Sequence, residues 1–177
     1  MSKKYAIIAL TGIAAVLAAA PSSKAAVTAA NNYKQGKVYK ITPKSKPFKN
    51  KYVKAPTYNK KTRTYFTIRS YMEKFQKAKK GTLVLKKGTY KITNTIQVPS
   101  NVTIILEKGA KIVKSNQTGT KKMKAATTIF QLIKPSNREK SNVYGGHNGE
   151  KNIHFVGKGS NVMDLKYLKA NIAIVMG

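Results

Sequence analysis

From residue 81 onward, apolar positions fall in short runs that turn residues interrupt at short intervals. TLVLK covers 82–86, YKIT and IQV lie within 90–98, VTIILEK covers 102–108 and AKIVK covers 110–114. TIFQLIK resumes at 128–134, NIHFVGKG at 152–159, VMDL at 162–165 and NIAIVMG at 171–177. The runs are rich in Val, Ile, Leu, Thr and Tyr and are bounded by Gly88, Thr93-Asn94, Pro99-Ser100-Asn101 and Gly109. Such runs read as strands. The gaps among the first of them are too short for helices, which argues against βαβ units. Runs beginning at Thr82, Val102, Thr128, Ile153 and Ile172 lie roughly 20–26 residues apart, the period of a repeat that stacks coils of parallel strands. The expected class is all-β, a parallel β-helix. Residues 115–126 and the stretch after Lys134 read as inserted loops.

One segment has the other period. In TIRSYMEKFQKAKK, residues 67–80, Ile68, Tyr71, Met72, Phe75 and Ala78 share one helical face. Thr67 suits the N-cap and Gly81 the residue after the helix. An amphipathic helix directly before the strands predicts a cap on the coil. Residues 26–62 hold few aliphatics but many lysines, with Pro43, Pro47 and Pro56 and with Tyr33, Tyr39, Tyr52 and Tyr58 between them. They read as a linker or arm, partly disordered; the functional alternative is a polysaccharide-binding arm with tyrosines stacking on sugars.

Charge changes the picture next. The 177 residues carry 35 Lys+Arg against 5 Asp+Glu, a formal charge of +30. That predicts salt-sensitive attraction to a polyanion. Lys3 and Lys4, the apolar run 5–20 and the small residues Ser23 and Ala25 form a secretory signal, residues 1–25, with a cut after Ala25 or Ala26. Its apolar run is short for a membrane span, so no transmembrane segment is expected after cleavage. Export favours an acidic polysaccharide or anionic cell-wall polymer as partner, in a secreted or wall-associated protein. Nucleic acid is then a non-specific partner only. The chain has no cysteine, so disulfides cannot hold it. Its last run, NIAIVMG, is apolar and uncapped, which predicts the N-terminal piece of a longer protein; pairing of that strand with a second copy is the alternative.

Candidate chemistry is sparse. Glu73, Glu107, Glu139, Glu150 and Asp164 are the acidic residues. No spacing brings two of them together as a glycosidase acid and base, and they are too scattered for a calcium cluster within 63–177. A lysine with a depressed pKa is a possible base. The glycine-rich loop Tyr144-Gly145-Gly146-His147-Asn148-Gly149 offers Tyr144, His147 and Asn148 as weak ligand-binding candidates, with a plain turn as the alternative. His154, inside a strand, reads as a wall residue. No cofactor motif or zinc spacing is evident.

These motifs carry a resemblance. Gly88-Thr89-Tyr90, then Pro99-Ser100-Asn101-Val102-Thr103, then Gly109-Ala110-Lys111-Ile112 resemble the first coils of secreted right-handed parallel β-helix proteins of the pectate-lyase superfamily. Asn152 to Gly159 resembles a later coil, and the helix resembles the N-terminal cap of these proteins. The resemblance spans roughly 64–177. It implies a fold rather than one activity, since the superfamily includes lyases, glycoside hydrolases, epimerases, adhesins and tailspikes. In its degrading members the catalytic groups usually lie on middle and later coils. No catalytic residue carries over, and calcium enters only if its ligands lie on coils beyond this chain.

Overall fold

The computed structural model describes residues 32–141, 143, 149–166 and 171–176. Among them the strands are β1 (Val38–Ile41), β2 (Gly81–Leu85), β3 (Gly88–Ile92), β4 (Ile96–Gln97) and β5 (Val102–Leu106). They continue with β6 (Ala110–Lys114), β7 (Thr128–Leu132), β8 (Ile153–Gly157), β9 (Val162–Asp164) and β10 (Ile172–Met176). The fold is β-rich, and every strand pairing is parallel. Sheet A has the order β1-β2-β5-β8, sheet B β3-β6-β9 and sheet C β10-β7-β4.

From β2 onward the chain visits A, B and C in rotation, three times. A parallel pair needs a long crossover between its strands. Here the strands of the other two sheets supply it, so short runs suffice. Alternate residues of each run face a shared interior. Leu83, Ile104 and Phe155 stack in register on A, Tyr90, Ile112 and Met163 on B, and Ile96 and Phe130 on C. All belong to one apolar cluster or pack against it. Phe130 meets Phe155 across the interior, with ring centroids 5.0 Å apart. Each such side chain contributes roughly 1.5–3 kcal/mol by leaving water.

The even spacing of the runs is corrected. Gly81 pairs with Val102 after 21 residues, but Val102 pairs with Ile153 only after 51. Thr128 and Ile172 belong to sheet C and pair with each other. Inserted segments around 115–127 and 133–151 lengthen the second circuit without shifting its register.

The helical segments are α1 (Asn50–Val53) and α2 (Arg63–Ala78), with a 3-10 turn at Pro135–Asn137. Helix α2 packs on β2, β3 and β4, burying Tyr65, Phe66, Ile68, Met72 and Phe75. It starts a turn earlier than expected. Thr62 stands at its N-cap, while Thr67 lies inside, its Oγ1 2.9 Å from the carbonyls of Ser45 and Arg63. Ala78 is exposed rather than buried. The left-handed residue that ends the helix is Lys79 (φ 61°), not Gly81, which opens β2.

Residues 32–62 are not an arm. Strand β1 adds to sheet A beside β2, and Ile41 and Tyr52 are buried. The expectation weighed aliphatic residues, whereas aromatic rings supply the apolar area. Tyr39 packs on Phe75 at 5.8 Å, Tyr52 on Phe66 at 5.8 Å and Tyr58 on Phe66 at 5.9 Å. These tyrosines therefore serve the core around α2 instead of standing free for sugars.

Candidate functional site

A polymer needs an open face, and the three sheets differ in what covers their outer sides. On sheet A the outward row Thr82, Thr103 and His154 lies under residues 33–35. Gln35 N–H donates to Thr82 Oγ1 at 2.7 Å, and that hydroxyl donates to the Gln35 carbonyl at 2.8 Å. Gln35 Nε2 donates to Thr103 Oγ1 at 3.2 Å and to the Asn152 carbonyl at 3.0 Å, and Asn152 Nδ2 donates back to Gln35 Oε1 at 2.8 Å. The Thr103 hydroxyl donates to the Tyr33 carbonyl. The Tyr33 ring lies 4.7 Å from that of His154, so His154 is a covered wall residue. The next outward row, Val84, Ile105 and Val156, forms a small apolar cluster of its own.

Sheet C is closed by the segment after β7. Arg138 Nε donates to Gln97 Oε1 at 2.7 Å. Ser136 exchanges hydrogen bonds with Gln76 of α2, at 2.7 and 3.0 Å, and Pro135 is buried. Arg138 also reaches Glu73 at 3.6 Å, joining Lys49, Lys51 and Arg69 around that carboxylate. Burial pushes the Glu73 carboxyl up, but the Tyr52 hydroxyl and the cations Arg69 and Lys51 outweigh it and hold the group below the ordinary carboxylate range. Glu73 is thereby a structural anchor tying α1, α2 and the 3-10 turn together.

Sheet B carries exposed cations on its outer side, and Asp164, in register with Lys91 and buried Val113, is paired there with Lys166 at 3.5 Å. The alternation of β3 and β6 that buries Tyr90, Ile92, Ala110 and Ile112 turns Thr89, Lys91 and Lys111 outward, all exposed. Thr89 and Lys111 are register partners. Beside them a cleft of about 400 Å³ lies between sheet B and the start of α2. Lys60, Lys61, Arg63 and Lys91 line it, with Pro43, Thr64, Thr89, Ser115 and Gln117, and none of these is acidic. Arg63 Nη2 donates to the Pro43 carbonyl at 3.2 Å and Lys61 Nζ to Gln117 Oε1 at 3.2 Å, so neutral oxygens hold the two cations in place. The first turn of α2 has no acidic residue, and the hydroxyl of its N-cap Thr62 donates to the Thr57 carbonyl at 2.8 Å rather than capping the helix. A helix start carries roughly +0.5 elementary charge, so Lys60, Lys61 and Arg63 stand where an anion is favoured. This cleft was not legible in the sequence because its cations come from two separated segments, 60–63 and 91. The signal that existed was the placement of Lys91 and Lys111 on the outward phase of two strands.

Among the described residues one lysine is buried. Lys114 follows Ala110 and Ile112 on the inward phase of β6 and is 1% exposed. Its Nζ donates to the carbonyls of Thr93 at 3.1 Å and Ser115 at 2.9 Å and to Asn116 Oδ1 at 3.1 Å. Burial lowers its pKa to about 8, so the depression comes from desolvation rather than from neighbouring cations. Enclosed in this way, the amine is a structural tie between stacked turns and is closed to a substrate.

Glu150 and Asp164 are separately engaged. Glu150 accepts from the Ser100 hydroxyl at 2.6 Å and Asp164 from the Lys166 N–H at 2.7 Å; Glu107 sits in the turn after β5, and Glu139 is exposed. Among the described residues no group of three or more His, Asp or Glu converges as a metal site, and no helix is long and apolar enough to cross a membrane. Tyr144, His147 and Asn148 lie outside the described residues. Comparison with protein-family models, with curated proteins and with solved structures found no match to this chain.

Proposed function

We propose that this chain is a secreted, right-handed parallel β-helix protein of the pectate-lyase-like type whose basic face on sheet B binds an acidic extracellular polysaccharide or anionic wall polymer. The observation that carries the reading is the cleft lined by Lys60, Lys61, Arg63 and Lys91 without an acidic partner, beside exposed Lys111 on the outer side of sheet B. The rotation of the chain through three parallel sheets supports the β-helix, and the apolar run 5–20 with its small-residue site supports export. Binding rather than cleavage is the reading here. Glu73, Glu150 and Asp164 have structural partners, and Lys114 is sealed.

Retention on immobilised polygalacturonate tests the proposal. The mature protein is expected to bind at low salt, to elute as salt screens the contacts, and to pass a neutral polysaccharide column unretained. Lys60→Gln/Lys61→Gln/Lys91→Gln is expected to elute at clearly lower salt. Equal retention on the neutral column, or an unchanged elution position for the triple variant, would overturn it.

A further inference from the structure

The corner where sheet A passes to sheet B is built from stacked turns whose first residues lie in register. Lys86 N–H donates to the Ile41 carbonyl at 2.9 Å, Glu107 N–H to Leu85 at 2.9 Å and Lys158 N–H to Leu106 at 2.8 Å. The residue after each of these sites is Lys87, Lys108 and Gly159. Each turn then contains a glycine with positive φ, Gly88 at 139°, Gly109 at 80° and Gly159 at 91°.

Those glycines do more than turn the chain. A Cβ on Gly109 would lie 3.2 Å from Lys87 Cγ, and one on Gly159 would lie 3.5 Å from Lys108 Cγ. The aliphatic stem of each lysine therefore lies along the glycine of the next turn, as Pro43 lies along Gly88, where a Cβ would come within 2.7 Å. Stems seated on backbone have fewer conformations to lose when their ammonium groups meet an anion. Successive turns stand about 4.7–4.9 Å apart, a distance at which unit charges repel by roughly 1 kcal/mol in water. Glu107 is the acidic residue in these turns, facing Lys86 and Lys158 in register, and Lys87 and Lys108 stand in the neighbouring file without one. Pro43 both begins this file and lines the cleft on sheet B, so the corner and the cleft form one surface.

We infer that the A–B corner is a short charge rail on which a linear polyanion lies along the stacking direction, across the strands, with carboxylates of successive sugars meeting Lys87 and Lys108 and the chain passing on over Gly159, where no side chain stands in its way. This rests on the reading of the ligand as an acidic polysaccharide and adds the place and direction of binding. The chemical class is a polyuronate, with one carboxylate on every sugar. A glycan carrying its charges far apart would match the file poorly.

The test compares two double variants of the mature protein by titration with oligogalacturonates of increasing length. Lys87→Gln/Lys108→Gln removes the rail, and Lys122→Gln/Lys140→Gln removes the same charge from exposed positions elsewhere. The rail variant is expected to lose about tenfold in affinity for long oligomers at low salt, with a shallower salt dependence and little change for the shortest oligomer. The control variant is expected to lose far less. Equal losses in the two variants would overturn the rail while leaving polyuronate binding in place. Absence of binding by the unaltered protein would overturn the functional proposal and the rail together.

Discussion

Single residues show how the alternation of a strand can place the wrong kind of side chain inside. In AKIVK the inward phase contains Ala110, Ile112 and then Lys114, so the position of Lys114 was legible, but its tolerance there was not. That depends on oxygens from Thr93, Ser115 and Asn116, which only the stacking of turns brings together. Gly81 is a similar case. Its role was read as a helix terminator, yet a Cβ there would stand 2.0 Å from the Phe75 ring, a contact across the helix–strand junction that no local pattern reveals. Lys114 carries a pH prediction. Its pKa is about 8 in the folded chain against about 10.4 when unfolded. Below 8 both states hold the proton and the cost of burial is fully present. Between the two values the unfolded state binds more protons, so this residue's contribution to stability rises with pH. Lys114→Met is expected to cost about 1–3 kcal/mol at neutral pH, because buried carbonyls lose their donor. The gap between the two proteins in denaturation midpoint should widen from pH 7 to pH 10, and a constant gap would contradict the assignment.

Elements were legible in proportion to how far their signal was local. The runs from β2 to β10 were found within a residue or two because period-2 alternation and turn residues suffice to mark them. The body of α2 was found by its 3.6 period, but its first turn was not. Thr64 and Phe66 break the simple apolar stripe, and Phe66 is buried against the rings of Tyr52 and Tyr58, which lie outside the helix. Residues 33–35 were missed for a different reason. Nothing in Tyr33-Lys34-Gln35 predicts that this piece crosses the outer row of sheet A and bonds to Thr82, Thr103 and Asn152. The crossing behaves as a clip over three strands. Gln35→Ala is expected to destabilise the fold by about 1–2 kcal/mol. Hydrogen-exchange protection should fall first at Thr103 and Asn152 while the amide of Phe130, on sheet C, keeps its protection in sub-global opening. Uniform loss at all three would mean that the clip is not a separate unit.

At the scale of the molecule, net charge and architecture pull against each other. A chain with +30 formal charge pays in self-repulsion for every contact that compacts it, and its few carboxylates are concentrated where they offset most, as Glu73 does among four cations. Of the three parallel sheets, one has its outer side crossed by residues 33–35, one by the Pro135–Arg138 segment, and sheet B by neither. The third side carries exposed Lys91 and Lys111 beside the cleft, with Asp164 already paired to Lys166, so positive charge remains where a ligand can reach it. Two consequences can be separated in one thermal series. Raising ionic strength from about 0.01 M to 0.15 M shortens the Debye length from about 30 to about 8 Å, and the melting temperature should rise, because long-range repulsion is screened more than the close Glu73 pairs are weakened. Adding polygalacturonate at low salt should raise it as well, because a ligand that binds the native state alone stabilises that state. The second increment should disappear at high salt and should not occur with fully methyl-esterified pectin, which lacks the free carboxylates. A melting temperature that falls with salt would show that local ion pairs outweigh the global field. A polygalacturonate effect that persists at high salt would show that the polymer is held by something other than this charge.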